Sequence, residues 1–426
     1  MPKPEQKNAQ SATPDLFSAP PLPVAALDDA QRLACLRLIR SENVGPVTFR
    51  QLINQYGGAT QALEALPELA NRAGRKRVLR ICSANAAEAE LEAAARCGAR
   101  PVFTIEPGYP RRMALTDVPP PMLYVRGRLD LLNQPSVAIV GARQCSAAGQ
   151  KLSRTFASDL GKAGLTIVSG LARGIDGAAH LASLDTGTIA VVAGGVDFIY
   201  PPEHVDLHAQ IAERGCVISE MPCGFKPRGK DFPRRNRLIS ATSLGVLVVE
   251  AARRSGTLST ARMAGEQGRA VFAIPGNPLD PRAEGTNLLI KSGATLVTDA
   301  SDIISALAPL TDQTGGNFNE PAPIASFDAP ADLQAQPANS EIENGQTKPT
   351  SPTPAPSNDL NARPSMTTEE AVKAVEQAIG PAPIEIDEIV RATQLPARQV
   401  RTIILELDLA GTIEHHGANM VSSKSS

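Results

Sequence analysis

SVAIVGARQCSAAGQKLSRTFASDLGKAGLTIVSG, residues 136–170, contains one complete architectural unit. Its first six residues and its last six are short, unbroken runs rich in Val and Ile, and both end on glycine (Gly141, Gly170). A strand that lacks polar alternation is a strand covered on both faces. The stretch between them, Gln150 to Gly164, has the apolar spacing of a helix. Strand, helix, strand in this order implies parallel neighbours joined by a crossover.

The same alternation continues outward. TIAVVAGG (188–195), CVIS (216–219), GVLVVEA (245–251), AVFAIPG (270–276) and ATLVT (294–298) read as further buried strands, with helical patterns such as TLSTARMAGEQG between them. The expectation is an α/β core over residues 100–309, a Rossmann-like, doubly wound parallel sheet. On its N-terminal side, residues 28–99 carry helical spacing throughout: LACLRLIR, FRQLINQYG, ALEALPELA and AEAELEAAARCG. Within it, Asn43 to Phe49 reads as a tight Gly-Pro turn into a helix. Such a turn serves either as a helix-hairpin-helix element whose amides meet a DNA phosphate or as a plain packing device.

Two segments lack any such pattern. Residues 1–27 are polar and rich in Pro and Ala, and residues 310–365 are Pro, Asn, Gln, Ala and Ser; both are expected to be disordered, the second as a linker. Periodicity returns over 366–422. EEAVKAVEQAIG, EIDEIVRATQ and PARQVRTIILELDLAG read as three helices and TIEHHGANMV as a hairpin, the order of a winged helix. Arg398, Gln399, Arg401 and Thr402 open the third helix, where a recognition helix meets bases. The acids Glu385, Asp387, Glu388 and Glu406 oppose a duplex, so protein contact is an equal reading.

The chain has 426 residues, 42 basic and 44 acidic, and is 42% hydrophobic. None of the six cysteines forms a C-x-x-C pair, and the histidines lack ligand spacing, so neither a disulfide scaffold nor a metal site is expected. A reducing, cytoplasmic setting fits this usage. The N-terminus has no apolar signal core and no run has the length of a membrane span.

On this nearly neutral background, GFKPRGKDFPRRNRLIS (224–240) concentrates six basic side chains around Phe232, with Asp231 as its single acid. Cations follow a phosphate backbone and aromatic faces stack on bases, a combination suited to single-stranded nucleic acid. The bland reading is a solvated loop, but Pro222 just before the run, Pro227 and Pro233 within it, and Leu238-Ile239 at its end favour a structured one. The strand-end loops VGAR (140–143) and SGLARGIDGAAH (169–180) add Arg143 and Arg173 beside glycines that permit close approach. Further on, VVEAARRSGTLSTA (248–261) and PGNPLDPRAEGTNLLIKSGA (275–294) offer hydroxyls, amides and Asn287, for phosphate or for capping helices. Neither G-x-G-x-x-G nor the Walker A pattern occurs, so no cofactor is expected. Ser169, Asp176 and His180 are close in sequence and open a triad reading. A helix cap beside a buried histidine explains the same residues.

The ordered set VGAR, SGLARGIDGAAH, GGVDFIYPPEH, SEMPCGFKPRGKDFPRRNRLIS, VVEAARRSGTLSTA and PGNP…EGTNLLIKSGA resembles the DNA-processing protein DprA (Smf) family across residues 100–309. The resemblance implies an extended Rossmann core with a helical N-terminal domain and a C-terminal winged helix. It implies a cytosolic, non-enzymatic, dimeric protein that binds single-stranded DNA and loads the recombinase RecA in natural transformation. Carried over by motif, the single-stranded-DNA site comprises Arg143, Ser169, Gly170, Arg173, Lys230, Phe232, Arg234, Arg235, Arg237 and Asn287. A weaker resemblance, to nucleotide-processing phosphoribohydrolases, rests on Glu250 and Ser255-Gly256-Thr257. There the order differs, because Glu250 precedes the Gly-Thr.

Overall fold

The computed structural model describes residues 26–72, 79–312 and 367–424. The expected disorder before residue 26 and the linker beyond residue 312 lie outside the described residues. Four helices come first: α1 (Asp29–Ile39), α2 (Pro46–Tyr56), α3 (Ala59–Arg72) and α4 (Ala84–Arg96). Asp28 starts α1 with a capping box, its carboxylate accepting from Gln31 N while the Gln31 side chain accepts from Asp28 N. Gly45 precedes α2 and Pro46 takes its first position, where a missing N–H costs nothing.

The core then runs β1 (Arg100–Phe103), α5 (Arg111–Ala114), β2 (Met122–Gly127), β3 (Ser136–Val140), α6 (Ala147–Lys162), β4 (Thr166–Ser169) and α7 (Ile175–Ser183). It continues with β5 (Thr188–Val191), α8 (Val205–Arg214), β6 (Cys216–Ser219), α9 (Asp231–Thr242), β7 (Gly245–Val248) and α10 (Gly256–Glu266). It closes with β8 (Ala270–Ala273), α11 (Glu284–Lys291), β9 (Thr295–Leu296) and α12 (Ala300–Asp312). The last helix therefore takes in Leu310–Asp312, which the sequence reading placed in the linker.

All nine strands form one sheet in the order β1-β2-β6-β5-β4-β3-β7-β8-β9. From β6 to β9 the pairs are parallel, as expected. β1 and β2 add an antiparallel extension that the sequence reading did not foresee. Those two strands are not separated by the strand–helix rhythm used for the others, and Pro101 sits inside β1. As an edge strand, β1 tolerates the missing donor.

Strand residues alternate between two apolar layers. Val137, Ile139 and Ile167 face Phe156 and Leu160 of α6, Ile175 and Ala179 of α7, and Ile303 and Leu307 of α12. Ala138, Val140, Val168 and Val246 face Leu238 and Ile239 of α9 and Ala261 and Ala264 of α10. Burial on both faces accounts for the unbroken Val/Ile runs.

The chain progresses from β3 through β6 in one direction, then returns to place β7 on the other side of β3. Loops leaving β3 and β7 thus diverge at their carboxyl ends and open a crevice.

The C-terminal unit comprises α13 (Thr368–Ala378), β10 (Ile384–Glu385), α14 (Ile386–Thr393), α15 (Ala397–Ala410), β11 (Ile413–His415) and β12 (Met420–Ser423). Three helices and a hairpin appear as expected, with β10 added to give the order β10-β12-β11. The C-terminal half of α15 packs against α2 and α3. Leu405 and Leu409 join the N-terminal apolar cluster with Phe49 and Leu52. The Thr48 hydroxyl donates to the Asp408 carboxylate, and Asn43 Nδ2 donates to Leu409 O at 2.8 Å. No helix among the described residues is long and apolar enough to cross a membrane.

Candidate functional site

The crevice predicted by the strand order is a cleft of about 820 Å³. Its floor is the carboxyl end of the sheet, Val140-Gly141, Gly170 and Val192 to Gly194. Its walls come from Arg143, Arg173, Tyr200, Phe232, Arg235, Asn236, Ser255 to Thr257 and Arg282. Five of the ten sequence-derived site residues meet here: Arg143, Gly170, Arg173, Phe232 and Arg235.

The basic run is not one loop. Lys226, Arg228 and Lys230 lie on an exposed approach, but from Asp231 onward the run is the first turns of α9. The Asp231 carboxylate accepts from Arg228 N at 2.7 Å and closes the turn that starts the helix. Pro233, read in the sequence as a loop constraint, falls in that first turn, where proline is tolerated.

A helix separates the arginines by face. Arg235 points inward and is 7% exposed. Its Nη1 donates to Gly170 O at 2.6 Å and also to Val191 O, joining the ends of β4 and β5. Burial holds the Arg235 guanidinium down to about 10, with Asp176 opposing and Arg143 adding to the effect. It stays cationic at neutral pH at the base of the cleft. Gly170 is required beneath it: a Cβ there would lie 2.7 Å from Arg235 Nη1.

Arg237, two positions on, points elsewhere. It ion-pairs with the buried Glu220 carboxylate and donates to Val118 O at 3.0 Å. Arg234 is exposed and stands 3.6 Å from Glu220. Neither lines the cleft, nor does Lys230.

Two other sequence candidates have structural partners. Ser169 is fully buried, its Oγ donating to Ile139 O at 2.6 Å. Asn287 bridges Gly276, accepting from its N at 3.2 Å and donating to its O at 3.0 Å, which pins the loop after β8.

At the rim, Arg143 Cζ lies 5.5 Å from the Phe232 ring centroid, within cation–π reach. Tyr200 also packs against Phe232, with ring centroids 5.6 Å apart and a 58° tilt. Tyr200 is 44% exposed. Tyr200 is not among the sequence-derived site residues; its visible signal is an aromatic in a strand-end loop next to two prolines. Arg282, held by Asp280 at 2.9 Å, is a second missed cation. Arg173 reaches Glu203 at 2.6 Å in an exposed pair that a ligand anion can replace.

The triad reading fails on its geometry. Asp176 accepts from Gly170 N at 3.1 Å and Ala172 N at 3.3 Å, holding the loop at the head of α7. His180 is fully buried with Nδ1 2.7 Å from Thr188 Oγ1. Burial, with help from His204 and Arg235, pushes its pKa down to about 3. Gly174, at φ +75°, makes this turn possible, since a Cβ would lie 2.4 Å from Ala142 O. Glu250 likewise is engaged: it accepts from Ser146 N at 2.9 Å and from Ser146 Oγ at 2.5 Å, at the start of α6.

Three family models match this chain: a DNA recombination-mediator protein A model over 100–308, a DprA-like N-terminal HHH domain over 29–93 and a DprA winged helix domain over 350–419. The Smf protein of Synechocystis is 37% identical over 318 residues, covering 72% of this chain and 76% of its own. The chain belongs to the DprA (Smf) family. The Smf protein of Escherichia coli is 46% identical over 225 residues, 52% of this chain; the match spans 59% of that relative's length. The solved DprA of Streptococcus pneumoniae superposes with a TM-score of 0.55 at 33% identity, covering 66% of this chain and 98% of that one. The DprA core model matches the segment whose strand-end loops form the cleft.

Proposed function

We propose that the cleft binds single-stranded DNA, with phosphates held by Arg143, Arg173 and Arg282 and a base stacked at Phe232 and Tyr200. The observation that carries this reading is Phe232, with Arg143 over its ring and Tyr200 tilted against it, lining a cleft with a buried guanidinium at its base. Cations track the backbone while aromatic faces accept any base, so binding is strong without sequence preference. On this reading the protein is a non-enzymatic mediator that protects incoming single strands, acts as a homodimer and loads RecA in transformation and recombination. Membership of a family whose core model is described as a recombination mediator supports it.

Titration of full-length protein with single- and double-stranded DNA across salt concentrations tests the proposal. The expected result is preference for single strands, with log K falling by about 0.7 per phosphate contact against log salt. Equal affinity for duplex, or a salt-independent constant, refutes it. The enzymatic alternative requires a free acid near the Gly-Thr turn, whereas Glu250 is engaged with Ser146. Release of base from nucleoside monophosphates would establish that alternative instead.

A further inference from the structure

One residue from Phe198 of the cleft wall, the fold gathers three metal-ligating side chains that the sequence scatters. Cys97 follows α4, Asp197 follows β5 and Cys223 follows β6. Their ligand atoms, two Sγ and one carboxylate oxygen, all lie within 4.8 Å of one another. We propose that Cys97, Cys223 and Asp197 form a binding site for a thiophilic divalent cation of the zinc class, with water as the fourth ligand.

The donor set selects the metal. Two thiolates and one carboxylate suit a borderline-soft ion in tetrahedral geometry and disfavour calcium or magnesium, which take oxygen ligands. The carboxylate is already oriented: Gly224 N donates to both Asp197 oxygens at 2.9 Å. Such an outer hydrogen bond fixes a ligand's direction before the ion arrives. All three residues are half-buried, which leaves an entry path for a hydrated ion.

Metal uptake must displace the thiol protons, so affinity should rise with pH.

The position gives the ion a structural effect. Cys97 caps α4 at the junction between the N-terminal helices and the sheet, while Asp197 and Cys223 belong to the core. A bound ion would tie the helical domain to the core at that junction.

Cobalt(II) titration of reduced, metal-stripped full-length protein tests the site. The expected outcome is stoichiometric uptake with a thiolate-to-metal charge-transfer band, reversed by zinc(II), and a rise in melting temperature with zinc. Cys97→Ser and Cys223→Ser should abolish the band, and Asp197→Asn should weaken affinity about tenfold or more. Cys145→Ser, outside the cluster, should change nothing. X-ray absorption on the wild-type zinc complex gives the ligand set directly and does not depend on the variants folding. A first shell without two sulfurs, uptake that persists in the Cys97→Ser/Cys223→Ser variant, or no uptake by the reduced protein overturns the proposal. So does a Cys97–Cys223 disulfide that, once reduced, binds no metal.

Discussion

The Arg143 guanidinium carbon stands 5.5 Å from the centroid of the Phe232 ring, so a cation from the loop after β3 and an aromatic from the first turn of α9 share one position. The two side chains belong to segments separated in the chain by β4, β5 and β6. Each orders the other, and their contributions to ligand binding are therefore coupled.

Arg143→Ala should weaken single-stranded DNA binding and flatten the salt slope by about 0.7. Phe232→Ala should cost about 1–3 kcal/mol of binding with a smaller change in slope. Because the ring supports the guanidinium, the double variant should lose about 0.5–1 kcal/mol less than the sum. Titrations of both single variants and the double variant check this; strict additivity contradicts the coupling.

Arg235 and Arg173 should separate stability from binding. Arg235→Met leaves the buried Asp176 carboxylate without its cation and two carbonyls without a donor. Thermal or denaturant unfolding should show a loss of about 3–5 kcal/mol. Arg173→Ala breaks only an exposed pair with Glu203 and should leave stability within about 0.5 kcal/mol while lowering affinity.

Arg237 should behave as a structural residue despite its place in the basic run. Arg237→Ala leaves the buried Glu220 with Arg234 alone, at 3.6 Å, and should destabilise by about 2 kcal/mol. Adding Glu220→Gln should recover part of that loss. Arg234→Ala, on the exposed side of α9, should leave the melting temperature nearly unchanged. Melts of the four proteins decide whether the run is one functional unit or two.

Acid should weaken the fold through His180. Its folded pKa of about 3 lies below the usual histidine value, so the unfolded chain binds the proton more readily. Stability from this group is complete above about pH 6.5 and declines as the pH falls toward about 3, by up to about 1.4 kcal/mol per pH unit. His180→Gln should flatten the dependence over that window. Equilibrium unfolding between those limits, with and without the substitution, measures it.

The parallel core was legible because its strands are buried on both faces, which writes unbroken runs such as SVAIV and GVLVV into the sequence. β1 and β2 were not, because RPVF and MLYVRG lie outside the strand–helix rhythm and owe their pairing to β6. The cleft was legible as a set of loops. Which member of a loop faces inward was not, since that depends on helical phase: along α9 it sends Arg235 to the strand ends and Arg237 to Glu220. Cys97 and Cys223 failed the spacing test for the same reason that Thr48 and Asp408 could not be paired in advance. Their neighbours are set by the closed fold and not by the adjacent chain.

Thr48 and Asp408 also constrain the order in which the molecule is assembled. The contact spans 360 positions. As the chain leaves the ribosome, α2, α3 and the entire sheet are made before α15 exists. Until then the surface that later receives Leu405 and Leu409 stands open, an apolar seat beside Phe49 and Leu52. A nascent chain halted before α15 would present that seat to chaperones or to a second chain, and truncations that remove the winged helix should be more prone to self-association than the shorter length alone would predict.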